Sequence, residues 1–205
     1  SLGANTTGAN NTAYGQGSLG ENTTGAGSIA VGTSALAAAT TGTYNTGVGY
    51  YAGNNISTGS NNVAIGRFAG GGIEAASSCI AIGYNAISSN SANTGSGNNN
   101  VAIGDSSMLY MEGEKNIGIG NSTLYSSTTA DNNVAVGYQA LYYNTTADNN
   151  SAFGHNALKT NTTGDNLTAV GRYALKDNTT GTTCVAVGGS ALEQNTTGHA
   201  NTAVG

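Results

Sequence analysis

The chain contains no proline, and the first consequence concerns strands. Proline cannot donate to a sheet ladder and is confined to edges and bulges, so a chain without it can be hydrogen-bonded on both sides throughout. Charge is nearly as scarce, at 7 % of positions, with a formal net charge of −5 and no basic stripe. That balance argues against nucleic acid and anionic membrane surfaces as partners. Apolar runs are short as well: none approaches the roughly 20 residues of a membrane helix, so no membrane insertion is expected in this segment. No signal-peptide pattern opens the chain either. Tryptophan is absent and glycine abundant, with 33 residues. Such a composition alone would suggest a low-complexity, disordered chain.

Order in the sequence contradicts that. A glycine closing a small apolar run recurs at Gly15, Gly32, Gly49, Gly66, Gly83, Gly104, Gly120, Gly137, Gly154, Gly171, Gly188 and Gly205, at spacings of 17 except for one of 21 and one of 16. Self-similarity at a fixed short period is the mark of a solenoid, whose units cannot bury a core alone. The chain is therefore expected to be all-β, a parallel β-solenoid (β-roll) of twelve roughly 17-residue coils forming a single repeat domain over residues 1–205, with irregular coils at 84–120. Ser1 falls in mid-coil and Gly205 closes a strand, which suggests a segment of a longer fibre or ends that stack on other chains.

Each coil can be read in phase with its glycine. One residue before it stands a large apolar side chain, as in Ile65, Ile82, Ile103, Val136, Val170 and Val187; three before, the residue is Thr, Ile, Val or Ser. These share one strand face because side chains alternate with period two. Between them lies only Ala or Gly, as in Ala64, Ala81, Ala102, Ala135, Ala169 and Ala186. Four residues after the glycine comes Leu or a substitute, including Leu141, Leu158 and Leu175, which suggests a second, shorter strand aimed into the core. The core is thin. The expectation is that the Val/Ile ladder lines it and that the Ala/Gly face is covered by sister copies; a monomeric solenoid that simply favours small residues is the alternative.

Chemistry-bearing residues are few. Catalysis needs convergent ionisable groups, but His155 and His199 fall in different coils and phases, without a Cys, Asp or second His at ligand spacing. Stretches such as GGGIE lack the Lys-Ser/Thr of a phosphate loop. The chain is expected not to be an enzyme and to need no cofactor. Asp131, Asp148 and Asp165 all stand eleven after their glycine; stacked, they are either solvated turn residues or a weak Ca²⁺ site. Asn5, Asn22, Asn144, Asn161, Asn178 and Asn195 head Asn-Thr-Thr sequons in one phase, read as a stacked amide ladder or, on a surface protein, as sugar acceptors. Cys79 and Cys184 share a phase six coils apart, about 29 Å at the strand spacing and beyond disulfide reach within one chain; they read as small buried hydrophobes, with a bond between chains as the alternative. Tyr50, Tyr84, Tyr138, Tyr142 and Tyr143 are candidate surface contacts, because an aromatic face with a polar tip suits sugars and proteins. The shortened coil, with Glu112, Glu114 and Lys115 beside Met108, Tyr110 and Met111, and the longer one before it are either contact loops or drift in a turn.

The runs NNVAIG, NNVAVG and NTAVG, each followed by an Ala-Leu element such as YQAL or HNAL, resemble the head repeats of trimeric autotransporter adhesins and, in their longer form, repeats of bacteriophage tail fibres and related surface fibres. The resemblance covers all twelve coils. It implies a left-handed parallel β-roll associated as a trimer, with the strand motif (Asn62 to Gly66, Asn100 to Gly104, Asn133 to Gly137) forming the roll and its trimer contacts. It also implies an extracellular place, on a cell surface or virion fibre. The coils here are longer than the adhesin-head repeat, and neck, stalk and anchor patterns are missing. The function expected is a structural and adhesive fibre whose repeated turns bind host-surface carbohydrate or matrix protein multivalently. The rival readings are a self-assembling end-to-end filament without a ligand and an ice-binding solenoid built on the Thr column Thr23, Thr128, Thr145, Thr162 and Thr179.

Overall fold

The computed structural model describes residues 1–88 and 97–205. Of the lengthened coil between Gly83 and Gly104, residues 89–96 lie outside the described residues, and with them the contact-loop reading of that insertion.

Every apolar run is a three-residue strand: β1 (Thr12–Tyr14), β2 (Ile29–Val31), β3 (Thr46–Val48), β4 (Val63–Ile65), β5 (Ile80–Ile82), β6 (Val101–Ile103), β7 (Ile117–Ile119), β8 (Val134–Val136), β9 (Ser151–Phe153), β10 (Thr168–Val170), β11 (Val185–Val187) and β12 (Thr202–Val204). They pair in parallel in chain order as one sheet, giving a β-solenoid of about eleven turns. Same-phase residues face one another: Val63 pairs with Ile80, Ala64 with Ala81 and Ile65 with Ile82. The irregular coils keep this register, with Ile80 opposite Val101 and Val101 opposite Ile117. The shortened coil accommodates its deletion at the outer turn. Glu112 and Gly113 both donate to the Thr128 carbonyl, so the missing residue is the second of the two turn threonines.

The marker glycine ends each strand because nothing else fits. Gly137 sits at φ +127°, and a Cβ there would lie 2.6 Å from the carbonyl oxygen of Gly154, its counterpart in the next coil. Stacked copies of one backbone bend leave no room for a side chain, so the glycine column follows from the stacking itself.

The strand face is the reverse of the sequence expectation. Ala30, Ala64, Ala81, Ala102, Ala135, Ala169 and Ala186 are fully buried inside their own coil, while Val31, Val48, Ile65, Ile103, Val170 and Val187 are 36–38 % exposed on the outer surface. The reason is the width of the coil. A Cβ added to Gly47 would lie 2.8 Å from Leu36 Cγ and 3.1 Å from the Ala52 carbonyl; one added to Gly118 would lie 2.8 Å from Ser107 Oγ and from Thr123 Oγ1. The opposite arm already fills the interior, so only Ala or Gly can point inward.

That opposite arm is not a second strand. Leu141, Leu158 and Leu175 are fully buried as expected, but they have φ of 52°, 51° and 49°, and the residues two before them, Gln139, Asn156 and Tyr173, are left-handed too. The reversals aim successive N–H groups in opposite directions along the stack. Ser34 donates back to the Gln16 carbonyl at 2.8 Å, and Leu36 forward to the Ala52 carbonyl at 2.9 Å. Each left-handed residue costs about 1–2 kcal/mol, offset by hydrogen bonds between coils and by burial of the leucine. In two coils Gly53 and Gly70 replace the leucine, and Ile56 and Ile73, both fully buried, fill the space; a Cβ on Gly53 would lie 2.9 Å from Ile56 Cδ1.

Candidate functional site

Polar side chains inside the coil do structural work, which narrows the candidates. A first asparagine column precedes the strands. Asn45 Oδ1 accepts the Asn62 backbone N–H at 3.0 Å, and Asn45 Nδ2 donates to the Gly59 carbonyl at 2.8 Å. Cys79 and Cys184 occupy this column, both buried, and take over the donor role: Cys79 Sγ donates to the Gly97 carbonyl at 3.3 Å and Cys184 Sγ to the Gly198 carbonyl at 3.2 Å.

The sequon asparagines form a second column. Asn161 Nδ2 donates to Asn144 Oδ1 at 2.8 Å, Asn178 Nδ2 to Asn161 Oδ1 at 2.9 Å, and Asn195 Nδ2 to Asn178 Oδ1 at 3.1 Å. Asn22, Asn144, Asn161 and Asn178 are fully buried, with amide nitrogens that already make two hydrogen bonds in Asn22, Asn161 and Asn178 and one in Asn144, and a nitrogen so buried cannot carry a sugar. The ladder reading is the one the geometry supports. The threonines next to them are also engaged: Thr23, Thr128, Thr145, Thr162 and Thr179 each donate their hydroxyl to the backbone carbonyl of the next coil at 3.0–3.1 Å. Their hydroxyl protons are thus committed to the backbone.

The acidic column caps backbone. Asp131 Oδ1 accepts the Glu114 N–H at 2.7 Å, Asp148 Oδ1 that of Asp131 at 2.7 Å, and Asp165 Oδ1 that of Asp148 at 2.8 Å. Ser60, Ser77 and His199 serve the same purpose in other coils. Among the described residues no group of three or more His, Cys, Asp and Glu is placed to hold a metal ion. Met108 and Met111 of the shortened coil are buried core residues rather than contacts.

Two surfaces remain. The first is the outer sheet face, where columns headed by Ile29 and Val31 run coil after coil to Val185 and Val187. Its ends carry Tyr14 at 77 % and Val204 at 80 % exposure. The face holds no charged residue at any outward strand position. Of the residues expected to share one core or interface ladder, Ile65, Ile103, Val170 and Val187 lie here, joined by the half-buried Ile82 and Val136.

The second is the corner after the strands, where aromatic residues gather in three groups. Tyr50, Tyr51, Phe68 and Tyr84 form a chain of ring contacts at 4.6–6.5 Å between centroids, with the Arg67 guanidinium 4.8 Å from the Phe68 ring. Tyr138 stacks on His155, which meets Tyr173 edge-on, with Arg172 4.3 Å from the Tyr173 ring. On the adjoining arm Tyr125 and Tyr142 lie parallel at 4.8 Å and 2°. Partial burial, aided for Tyr125 by a hydrogen bond with Tyr110 and for Tyr142 by the neighbouring Tyr143, raises both phenols above their usual pKa. Of the tyrosines singled out in the sequence, Tyr50, Tyr84, Tyr138 and Tyr143 are 43–49 % exposed, and Tyr142 is half-buried.

Sequence reasoning missed a concave part of this surface. A cleft of about 320 Å³ is lined by Tyr51, Phe68 and Tyr84 on one side and by Asn54, Asn55, Asn85 and Ser88 around Gly71. The available signal was the run Gly70-Gly71-Gly72, which removes the outward side chain from the coil that carries Phe68, between one carrying Tyr50 and Tyr51 and one carrying Tyr84. No family model matches the chain, and comparisons with curated proteins and with solved structures give no significant match.

Proposed function

We propose that this chain is a structural and adhesive fibre segment, a β-solenoid that buries its outer Val/Ile face against sister copies and displays its aromatic corners to a target on a host surface. One observation carries the reading: an uncharged row of outward side chains, mostly Val, Ile and Thr with Ser151 and Phe153 in β9 and Tyr14 at one end, lies on the outside of a twelve-strand sheet. Soluble monomers rarely leave a contiguous apolar strip of that length uncovered. A second copy of the same chain is the occupant that matches it, because only a partner with the same repeat meets every coil in register. The absence of charge on the face means that identical copies do not repel there.

Three copies is the number implied by the resemblance to adhesin heads. On this arrangement the strand face is the interior of a bundle, the corners with Tyr84, Tyr138 and Tyr143 point outward, and repeated weak contacts add up through avidity. The same resemblance implies a fibre outside the cell, on a cell surface or a virion. The chain acts as scaffold and display rather than as a catalyst. Native mass spectrometry of the chain tests this: the account expects three times the chain mass, a dimer would overturn the number, and a monomer at micromolar concentration would overturn the interface.

A further inference from the structure

The cleft beside Phe68 has a floor. Its central coil contributes Gly71 where neighbouring positions in the same column carry Asn54 and Ser88, so the surface sinks by one side chain. A Cβ on Gly71 would come within 3.1 Å of Ser88 Oγ and 3.6 Å of Asn54 Oδ1, which shows how closely those polar groups converge on the space. The aromatic wall is held in place before any ligand arrives. Phe68 touches Tyr51 at 5.8 Å and Tyr84 at 6.5 Å between ring centroids, and Arg67 lies over both Phe68 and Tyr84.

The polar wall is partly fixed and partly unsatisfied. Asn54 Nδ2 donates to Asn55 Oδ1 at 2.9 Å, and Asn55 Nδ2 donates to the Gly71 carbonyl at 2.8 Å. That leaves Asn54 Oδ1 as an oriented acceptor. The side-chain amide of Asn85 and the hydroxyl of Ser88, a residue only 5 % exposed, make no hydrogen bond among the described residues. A volume of about 320 Å³ lies at the small end of ligand-sized clefts, which run from about 300 to 1,000 Å³. The ligand is therefore small, with one flat C–H face for the rings and several hydroxyls for the amides.

We infer that this cleft is a saccharide site that takes a single neutral pyranose ring, stacked on Phe68 and Tyr84 and hydrogen-bonded by Asn54, Asn85 and Ser88. The lining itself carries no charged group, and the nearby Arg67 guanidinium lies against the Phe68 and Tyr84 rings at 4.8 and 5.5 Å rather than in the lining; a neutral hexose or N-acetylhexosamine is the ligand this lining fits, and transfer to the uronic acid alone would contradict it. The inference deepens the adhesive reading by naming a site and a ligand class. It does not depend on the number of copies, because all eight lining residues come from one chain.

Saturation-transfer NMR with a panel of methyl glycosides (neutral hexoses, N-acetylhexosamines and a uronic acid), together with a Phe-containing tripeptide as a non-sugar probe, tests it on the whole chain. The expected result is transfer to at least one neutral glycoside, weakened at least about tenfold in Tyr84→Ala and in Asn85→Ala, and unchanged in Glu21→Ala, which alters an exposed residue outside the cleft. Circular dichroism of each variant confirms the fold. No transfer to any glycoside, transfer to the tripeptide alone, or binding that survives both cleft substitutions would overturn the saccharide site. Native mass measured on the same samples reports the oligomer separately, so failure of the cleft and failure of the fibre reading are distinct outcomes.

Discussion

Single positions in this chain are constrained by their own copies one coil away. Gly137 shows the strictest case: Gly137→Ala forces an L side chain to φ +127° against the Gly154 backbone, costing about 1–3 kcal/mol for conformation alone and more for the clash, so thermal unfolding should move to clearly lower temperature. The sequon column shows the opposite case, a defect open to repair. Ser127 interrupts it beneath Asn144 with a buried hydroxyl that lacks a partner. Ser127→Asn would offer an acceptor to Asn144 Nδ2 and should raise stability by about 1 kcal/mol, measurable in denaturant titration. Because the pKa values of Tyr125 and Tyr142 are raised in the fold, the native state holds those protons more tightly than the unfolded chain does. Their contribution is complete below the unfolded phenol pKa of about 10 and lost as pH rises through the folded values. Unfolding midpoints should therefore fall on the alkaline side, and an ultraviolet titration should show a late-ionising fraction. The amide ladder was legible in the sequence because the sequons recur in one phase. The capping role of Asp131, Asp148 and Asp165 was not, since which backbone N–H lacks a partner depends on turn geometry that residue types do not specify.

Strands and arms show where periodicity informs and where it stops. Alternation correctly grouped Ile65 with Val63 and set Ala64 apart, and the period correctly gave the parallel register. It could not say which face is inside, because both faces are free of charge and the usual polar-out signal is missing. The deciding contact is between Gly47 and Leu36, residues from opposite arms of a coil, and that separation across the coil is not encoded in either arm alone. The leucine arm misled for a related reason. Small and apolar residues there suggest a strand, whereas axial hydrogen bonding is achieved by left-handed reversals at Gln139 and Leu141. A pair of substitutions distinguishes the two faces. Ala135→Val should destabilise the chain by about 1–3 kcal/mol through overpacking. Val136→Lys should leave the coil folded and act on association, a contrast read by comparing melting of the two variants with their sedimentation.

At the scale of the molecule the coil is rigid in one direction and incomplete in another. Stacking along the axis satisfies its backbone, yet the outer strip from Ile29 to Val187 stays uncovered in a single chain, and the account requires that sister copies cover it. The glycan cleft and the aromatic corners then lie on the free perimeter, where they can be offered repeatedly to a target. Sedimentation equilibrium on the wild type and on a Val136→Lys/Val170→Lys chain tests that requirement most directly. The account predicts a concentration-stable trimer for the wild type and folded monomers for the charged variant. A wild-type monomer, or a trimer indifferent to both lysines, would contradict it.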